Sequence, residues 1–493
     1  MNHCCLGKHQ ILDATILDTA LSGSAKLRAT SPQAQGIRWS SMSNVIDVDV
    51  VIGGGGVAGA VTAMALQQLG YEVLVVEPGL NDERRLAGEL LHPPGVGGLA
   101  ELGVLEQLMR PPAVIVNGFC VADGTYPERV KLPYDIVPAH RAPGLSLEHG
   151  LIRQRLMQAI QGLPLVKVVA NARITNVDQS EASHVTVQVT GRESVTRYRC
   201  RLLVAADGAP SPIRRHAGIS VHSRRIATIF GYRVPAAALP EPDYGFVFIG
   251  GRTPVLVYPI NGAEARILFD IPYDPHRRPS PADCLDLSAA LPPDLRREVE
   301  LAIASQQHLS AVIHEVAADR LTSGRVVLVG DAAVTCHPLT ATGMTLCITD
   351  ALLLRDAMAD RPHDLPQALQ LHRHRRRWRH VTRLSLAEAL RDAFCGDAPE
   401  LQMVRRGVLR YWRGSSTGPA ATLALLSTAD GRLLTLIRQF VMVLVHGFLA
   451  EVSDWRSAGR GRHRGSRRLL YALLSVLIRQ LKQVLGKYRM VFR

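Results

Sequence analysis

The chain has 493 residues, 47% apolar, 20% charged and 5% aromatic, with a mean hydropathy of +0.08. At roughly 100–200 residues per domain this is two to four domains with a buried core, which excludes a disordered, collagenous or polytopic membrane chain. A net charge of +14 points to an anionic surface or ligand, and eight Cys without a CxxC pair leave a zinc site or redox dithiol unexpected and fit a reducing compartment.

Residues 1–44 read as a disordered extension: 1–41 lack an apolar signal core and a helical period, and Met42 offers a more natural start. Val48–Ile52 then forms a short apolar run of the kind expected for a buried parallel strand. Gly54, Gly56 and Gly59 follow as G-x-G-x-x-G, ahead of the helix-forming stretch Ala60–Leu69. The first glycine permits a tight turn, the second lets a pyrophosphate approach the backbone, and the third lets helix pack on strand. Phosphates then sit at a helix N-terminus, whose unpaired N–H groups favour anions. A second strand, Val73–Val76, ends in Glu77, placed to take a ribose hydroxyl. Together these predict a dinucleotide site.

Two further strands each deliver an acid to a sheet edge. Leu202–Ala206 runs into Asp207-Gly208, then Ser211 and Arg214. Val326–Val329 runs into Gly330-Asp331-Ala332-Ala333, then Pro338 and Gly343, where another helix starts. The plainer alternative is that both acids only form turns. The run His372–His380 is expected to cap that helix, with its arginines solvated. Leu433–Leu449 and Leu469–Val484 are apolar but interrupted, the latter with Arg479, Lys482 and Lys487 on its remaining face. Neither makes a clean run of about 20 apolar residues, so helices lying in a membrane interface are expected rather than spanning ones. Between them Arg456, Arg460, Arg462, Arg464, Arg467 and Arg468 suit an anionic bilayer. No stacking aromatics interleave with them, so nucleic acid is not an expected partner.

The glycine fingerprint, Asp207-Gly208 and Gly330-Asp331 resemble, in that order, the flavoprotein monooxygenases of the p-hydroxybenzoate hydroxylase type. Further segments narrow the resemblance to the squalene epoxidase family. Arg85-Leu86-Ala87-Gly88-Glu89-Leu90-Leu91 with Pro93 is similar to its RxxGELL segment. Asn117-Gly118-Phe119 with Leu132-Pro133-Tyr134 is similar to its NGY and PY. Pro254–Tyr258 with Arg266 and Asp270 resembles its substrate-domain strands, and His337-Pro338-Leu339-Thr340, Gly343-Met344-Thr345 and Asp350 its HPLT, GMT and D signature. Gly418-Pro419 and Leu425-Leu426-Ser427 resemble its C-terminal region, so the likeness runs from about Val48 to the end.

The resemblance implies an α/β fold: a Rossmann-like FAD-binding domain over 45–214 and 320–380, an inserted β-rich substrate domain over 215–319, and a C-terminal helical membrane-associated cap over 381–493. It implies FAD as cofactor, bound by Gly54, Gly56, Gly59, Glu77, Arg85, Arg153, Asp207, Asp331, Gly343 and Met344, and no metal. NADPH is the implied electron source, directly or through a reductase partner. His92, Phe119 and the Pro338 loop would lie at the flavin end of an apolar substrate tunnel. The activity implied is epoxidation of squalene or a similar polyisoprenoid by a monotopic enzyme at the cytoplasmic face of a membrane. Two positions depart from the family: His92 stands where it has Gln, and Phe119 where it has Tyr. His92 either replaces the amide's hydrogen bond or titrates, and Phe119 loses a phenolic hydroxyl. A hydroxylase of a lipid-tailed aromatic or polyene is therefore the alternative, and a flavin-binding scaffold or redox sensor without turnover is a third reading.

Overall fold

Strands buried on both faces read as unbroken apolar runs, and the chain builds a parallel sheet from such runs. The computed structural model describes residues 45–79, 86–123, 129–335, 337–395, 398–457 and 475–488. The extension 1–44, Arg85, and the side chains of the basic stretch from Arg456 to Arg468 lie outside the described residues. Five strands of this eight-stranded sheet run in the order Val326–Leu328, Val195–Ala205, Val45–Gly53, Val73–Glu77, Val166–Ala170, all parallel, and Thr322–Ser323, Val185–Thr190 and Arg173–Asp178 join it antiparallel. Its central strand, Val45–Gly53, opens directly into the glycine loop, so that loop sits at the carboxyl edge where open α/β sheets collect ligands. The helix after it, Val57–Gln67, is buried over Val57–Leu66, because it lies between the sheet and the helix Gly343–Asp360.

A second sheet of eight strands runs Val334–Thr335, Leu309–Ala318, Val221–Pro235, Glu264–Pro272, Val255–Pro259, Gly245–Ile249, Gly118–Asp123, Val130–Pro133. Its neighbours are antiparallel except Gly245–Ile249 beside Gly118–Asp123, which run parallel. The two strands Gly118–Asp123 and Val130–Pro133 come from the 45–214 stretch, so this sheet draws on more than residues 215–319. Period-two alternation separates its faces. Phe246 and Phe248 join the cluster covered by Ala282–Ser288 and Pro293–Ala304, while Val247 and Ile249 face the C-terminal helices.

The run His372–His380 does not cap the preceding helix. It lies inside a single 31-residue helix, Leu365–Cys395. His372, Arg376 and His380 are four apart and therefore share one face, which is buried. Arg376 Nη1 donates to Leu328 O at 2.8 Å and its Nη2 pairs with Asp350, so this arginine is an interior ion-pair partner rather than a solvated one. Burial alone would raise the Asp350 carboxyl, but the charge of Arg376, with a hydrogen bond from His380, holds it well below the usual carboxylate range.

Helices Pro399–Gly414, Gly418–Leu426 and Leu433–Ser457 follow, and 475–488 is helical as well. The apolar part of the last is longer than its sequence suggested. Leu433–Ser453, 21 residues at a mean hydropathy of 1.8, is long and apolar enough to cross a membrane by length and composition. Leu436, Gln439, Val443 and Leu444 nevertheless face inward. At Gly407 and Gly447 the helices Pro399–Gly414 and Leu433–Ser457 cross so closely that an added Cβ would run into the other helix's backbone. Lys487, expected on an outer polar face, is buried against Glu315 and Glu388. Burial of its ammonium is matched by these two carboxylates.

Candidate functional site

The glycine loop is a cradle whose shape follows from its missing side chains. Gly54 has φ +103°, a left-handed conformation in which a Cβ would strike Ala206 O, and a Cβ on Gly59 would strike Gly54 O. At Gly56 a Cβ would meet nothing within 4 Å, so open space lies before the N-terminus of Val57–Gln67. Glu77 ends the next strand and accepts from Gly55 N at 2.5 Å and Gly79 N at 2.9 Å. Arg153 stands 3.7 Å from Glu77 and donates to Gly79 O at 3.1 Å. The space and the donors suit a dinucleotide pyrophosphate and ribose.

The other two acid-bearing turns close on this loop. Asp207 lies behind Gly54, where a Cβ would come within 3.1 Å of Asp207 Cα. Its carboxylate accepts from Ser211 Oγ at 2.5 Å and Ile213 N at 3.0 Å, so it organises the start of the short helix Pro212–His216. Buried Arg214 donates to Ala332 O at 2.7 Å, tying that turn to the Gly330-Asp331 turn. Gly330 packs on the glycine-loop helix, a Cβ there falling 2.7 Å from Ala58 Cβ, and Asp331 is exposed beside it. Gly343, first residue of Gly343–Asp360, likewise has open space at its Cβ position. Met344 is buried against Gly88.

His92 joins this framework to the second sheet. It precedes the helix Pro93–Glu101, whose Gly95 and Gly98 let it pack closely against Thr345 and Ile348. His92 N donates to Thr345 Oγ1 at 3.1 Å. Its Nε2 stands 2.9 Å from Thr340 O, in the loop begun by Pro338, and its Nδ1 is 2.7 Å from Tyr134 Oη. A carbonyl only accepts, so Nε2 carries the proton and Nδ1 accepts from the tyrosine. Burial pushes the His92 imidazole down to about 4 and the Tyr134 phenol well up, which keeps both neutral. The Phe119 ring lies 5.7 Å from His92 and 6.2 Å from Tyr134, edge-on to the latter. A neutral histidine with both nitrogens engaged beside two aromatic rings is an apolar wall, not a poised base.

Tyr134, Arg266, Asp270 and His337 stood in the sequence only as family markers, yet these residues tie the second sheet to the Glu89–His92 segment and to the loop at Pro338. Arg266 makes a two-pronged pair with Glu89 (3.0 and 2.8 Å), which also accepts from Tyr258 Oη at 3.2 Å. Asp270, on the same face of Glu264–Pro272, lies 2.8 Å from His337 Nε2, while His337 Nδ1 accepts from Leu339 N at 3.2 Å. The available signal was two charges four apart, on one face, flanking the apolar run Ile267–Phe269. Among the described residues no group of three or more His, Cys, Asp or Glu is arranged to hold a metal ion.

The FAD binding domain family matches residues 47–383. Squalene epoxidase erg1 of Aspergillus fumigatus is 32% identical over 427 residues, covering 83% of this chain and 86% of that one. Squalene monooxygenase of Mus musculus is 27% identical over 454 residues, 89% of this chain and 78% of that one. Among solved structures, Pseudomonas aeruginosa PqsL in complex with 2-aminobenzoylacetate has a TM-score of 0.62 at 24% identity, over 71% of this chain and 97% of that one. p-Nitrophenol 4-monooxygenase PnpA of Pseudomonas putida has a TM-score of 0.59 at 19% identity, over 81% and 99%. At such identities the likeness to these two is one of fold.

Proposed function

The chain belongs to the squalene epoxidase family and is an FAD-dependent monooxygenase, and from that premise we propose that it epoxidises squalene or a similar polyisoprenoid. One observation carries the choice of an isolated alkene over a phenol: the neutral, doubly engaged His92 beside Phe119. An alkene offers its π electrons to an electrophilic oxygen without losing a proton, so no base is required. Hydroxylation of a phenol is helped by one. The apolar face of the second sheet toward the C-terminal helices, including Val121, Leu132, Val247, Leu256 and Leu268, is the wall along which a long hydrocarbon would lie. Incubating the reduced holoenzyme with squalene and oxygen, then reading the product by mass spectrometry, tests this. A gain of one oxygen atom with both ends of the carbon chain intact is expected.

Gly54, Gly56 and Gly59 would hold the FAD pyrophosphate, Glu77 with Arg85 and Arg153 the adenosine side, and Asp331 the ribityl chain. Asp207 would shape the loop behind them. The N-terminus at Gly343 and Met344 would face the isoalloxazine ring, where helix-end N–H groups stabilise negative charge. When bound, the reduced flavin activates dioxygen. The protein's own part is to keep water out, through the ring wall of Phe119 and Tyr134 and the loop that His92 and Asp270 anchor at Thr340 and His337. NADPH supplies the electrons in this reading, directly or through a reductase.

The enzyme works docked on a membrane in this reading, lying on it. Leu434, Ile437, Val441, Val445 and Phe448 are exposed at steps of three and four along Leu433–Ser457. Leu477, Leu481, Leu485 and Tyr488 repeat the pattern on 475–488. The opposite face of Leu433–Ser457 packs on Pro399–Gly414, which supports a helix lying on the membrane. Replacing Leu434, Ile437, Val441 and Val445 by Ser should move the protein from the membrane pellet to the soluble fraction with FAD retained. Unchanged pelleting would refute docking by this face. Truncation at about residue 430 is a poorer test, since it would also uncover the buried Val404 and Val408.

A further inference from the structure

The geometry points to a binding site for the phosphate of an anionic membrane lipid on the first half of the Leu365–Cys395 helix. The inference rests on the membrane docking proposed above. A surface cavity of about 420 Å³ is lined by Arg361, Gln370, Leu371, Arg373, His374 and Arg377, among others. Three guanidinium groups and the amides of Gln367 and Gln370 offer donors in a concave setting, and the guanidinium fork matches phosphate oxygens in pairs. Of the two acids flanking these residues in sequence, Asp360 is engaged by Arg375 at 2.6 Å and Asp364 accepts from Gln367 N at 2.9 Å as the helix begins. Leu371 adds an apolar patch of the kind a lipid's glycerol and upper chain can cover.

The placement says why this anion should come from a lipid. Gln370, His374 and Trp378 follow one another at steps of four and so line one face of the helix, with Arg377 three residues beyond His374 on its flank. Trp378 is 38% exposed, and its ring lies 5.7 Å from that of Tyr488, itself 40% exposed. Tyr488 closes the outward apolar row Leu477, Leu481, Leu485. Trp and Tyr prefer the boundary between acyl chains and headgroups. At a helical rise of about 1.5 Å per residue, the helix positions from His374 back to Gln370 lie roughly 6–12 Å beyond Trp378. A headgroup layer is about 5–8 Å thick on each side of the hydrocarbon. With the apolar row in the acyl region and the aromatic pair at its boundary, the basic cavity lies within one to two helical turns of that boundary, within reach of lipid phosphates.

The test uses the full-length, FAD-loaded enzyme and two kinds of vesicle, phosphatidylcholine alone and phosphatidylcholine containing phosphatidic acid. The wild type should bind the second more tightly. R373Q/R377Q should lose about tenfold to thirtyfold of that preference, one charge near the bilayer being removed per arginine, while binding to phosphatidylcholine alone stays as it was. R192Q, in a hairpin turn remote in sequence from this helix, should keep the preference, and R373K/R377K should keep much of it. Inorganic phosphate alone, titrated in solution, should not saturate the site. Equal wild-type binding to both vesicles, a full preference in R373Q/R377Q, or saturable phosphate binding without a vesicle preference would overturn the lipid site while leaving docking intact. No binding to either vesicle would overturn docking and this site together.

Discussion

Replacing His92 by Gln probes the chemistry and the electrostatics of the site at once. The imidazole donates to Thr340 O and accepts from Tyr134 Oη, and an amide offers one donor and one acceptor at a similar separation. With its pKa pushed down to about 4, His92 is protonated in about one molecule in a thousand at pH 7. Epoxidation should therefore survive H92Q with kcat/KM changed by less than about tenfold, whereas loss of a general base would cost roughly 10²–10⁴-fold. The stability of the variant carries the second readout. A buried histidine whose folded pKa lies below its unfolded 6.5 gives its full contribution above pH 6.5 and loses it as the pH falls toward 4, because the unfolded chain takes up the proton first. The drop from 6.5 to about 4 corresponds to roughly 3 kcal/mol at 1.36 kcal/mol per pH unit. Denaturant unfolding of both proteins at pH 7.5 and 4.5 should show H92Q gaining about 2–3 kcal/mol on the wild type at the acid end. The other buried histidines, His372 and His380, cancel in that comparison. A gap that does not change with pH, or a large activity loss with FAD still bound, would refute the neutral, structural His92 and favour hydroxylation of an aromatic ring.

Gly56→Val should abolish FAD binding, read as loss of flavin absorbance in the purified protein, because its side chain would enter the open cradle. Tyr134→Phe should cost about 1–3 kcal/mol in denaturant unfolding by leaving His92 Nδ1 buried without a donor, and Phe119→Tyr should leave turnover of squalene within a small factor. Arg376→Met should destabilise by about 3–5 kcal/mol, since Asp350 would remain as a buried charge without its guanidinium partner. The double change with Asp350→Leu should recover much of that loss.

The three strand-end turns were legible as structure because each is a local unit: an apolar strand, a glycine or acid at its end, and a helix behind it. Val48–Ile52 with Gly54–Gly59, Leu202–Asp207 and Val326–Asp331 all appear where the residue pattern put them. The role of His92 was not legible, because its partners Tyr134 and Thr340 lie 42 and 248 residues away and only the folded chain shows both nitrogens taken. The arginine run misled for a related reason. Charge density argued for solvent, but the four-residue spacing of His372, Arg376 and His380, set against Asp350 in an apolar helix, marked a buried face. Gly118–Asp123 escaped assignment to the second sheet because strand partnership is invisible in a short apolar stretch.

The hairpin formed by Gly118–Asp123 and Val130–Pro133 also sets a timetable. Its neighbour in the sheet is Gly245–Ile249, and Asn117 Nδ2 donates to Asp243, 126 residues later. At a synthesis rate of about 5–20 residues per second, that interval keeps one edge of the hairpin without its strand for roughly 6–25 seconds on the ribosome. Val121, Val130 and Leu132, buried in the finished protein, are uncovered meanwhile. An unpaired apolar edge is a template for pairing with another chain, so the yield of folded enzyme should depend on translation speed across 134–245 and on the chaperones that reach this hairpin first.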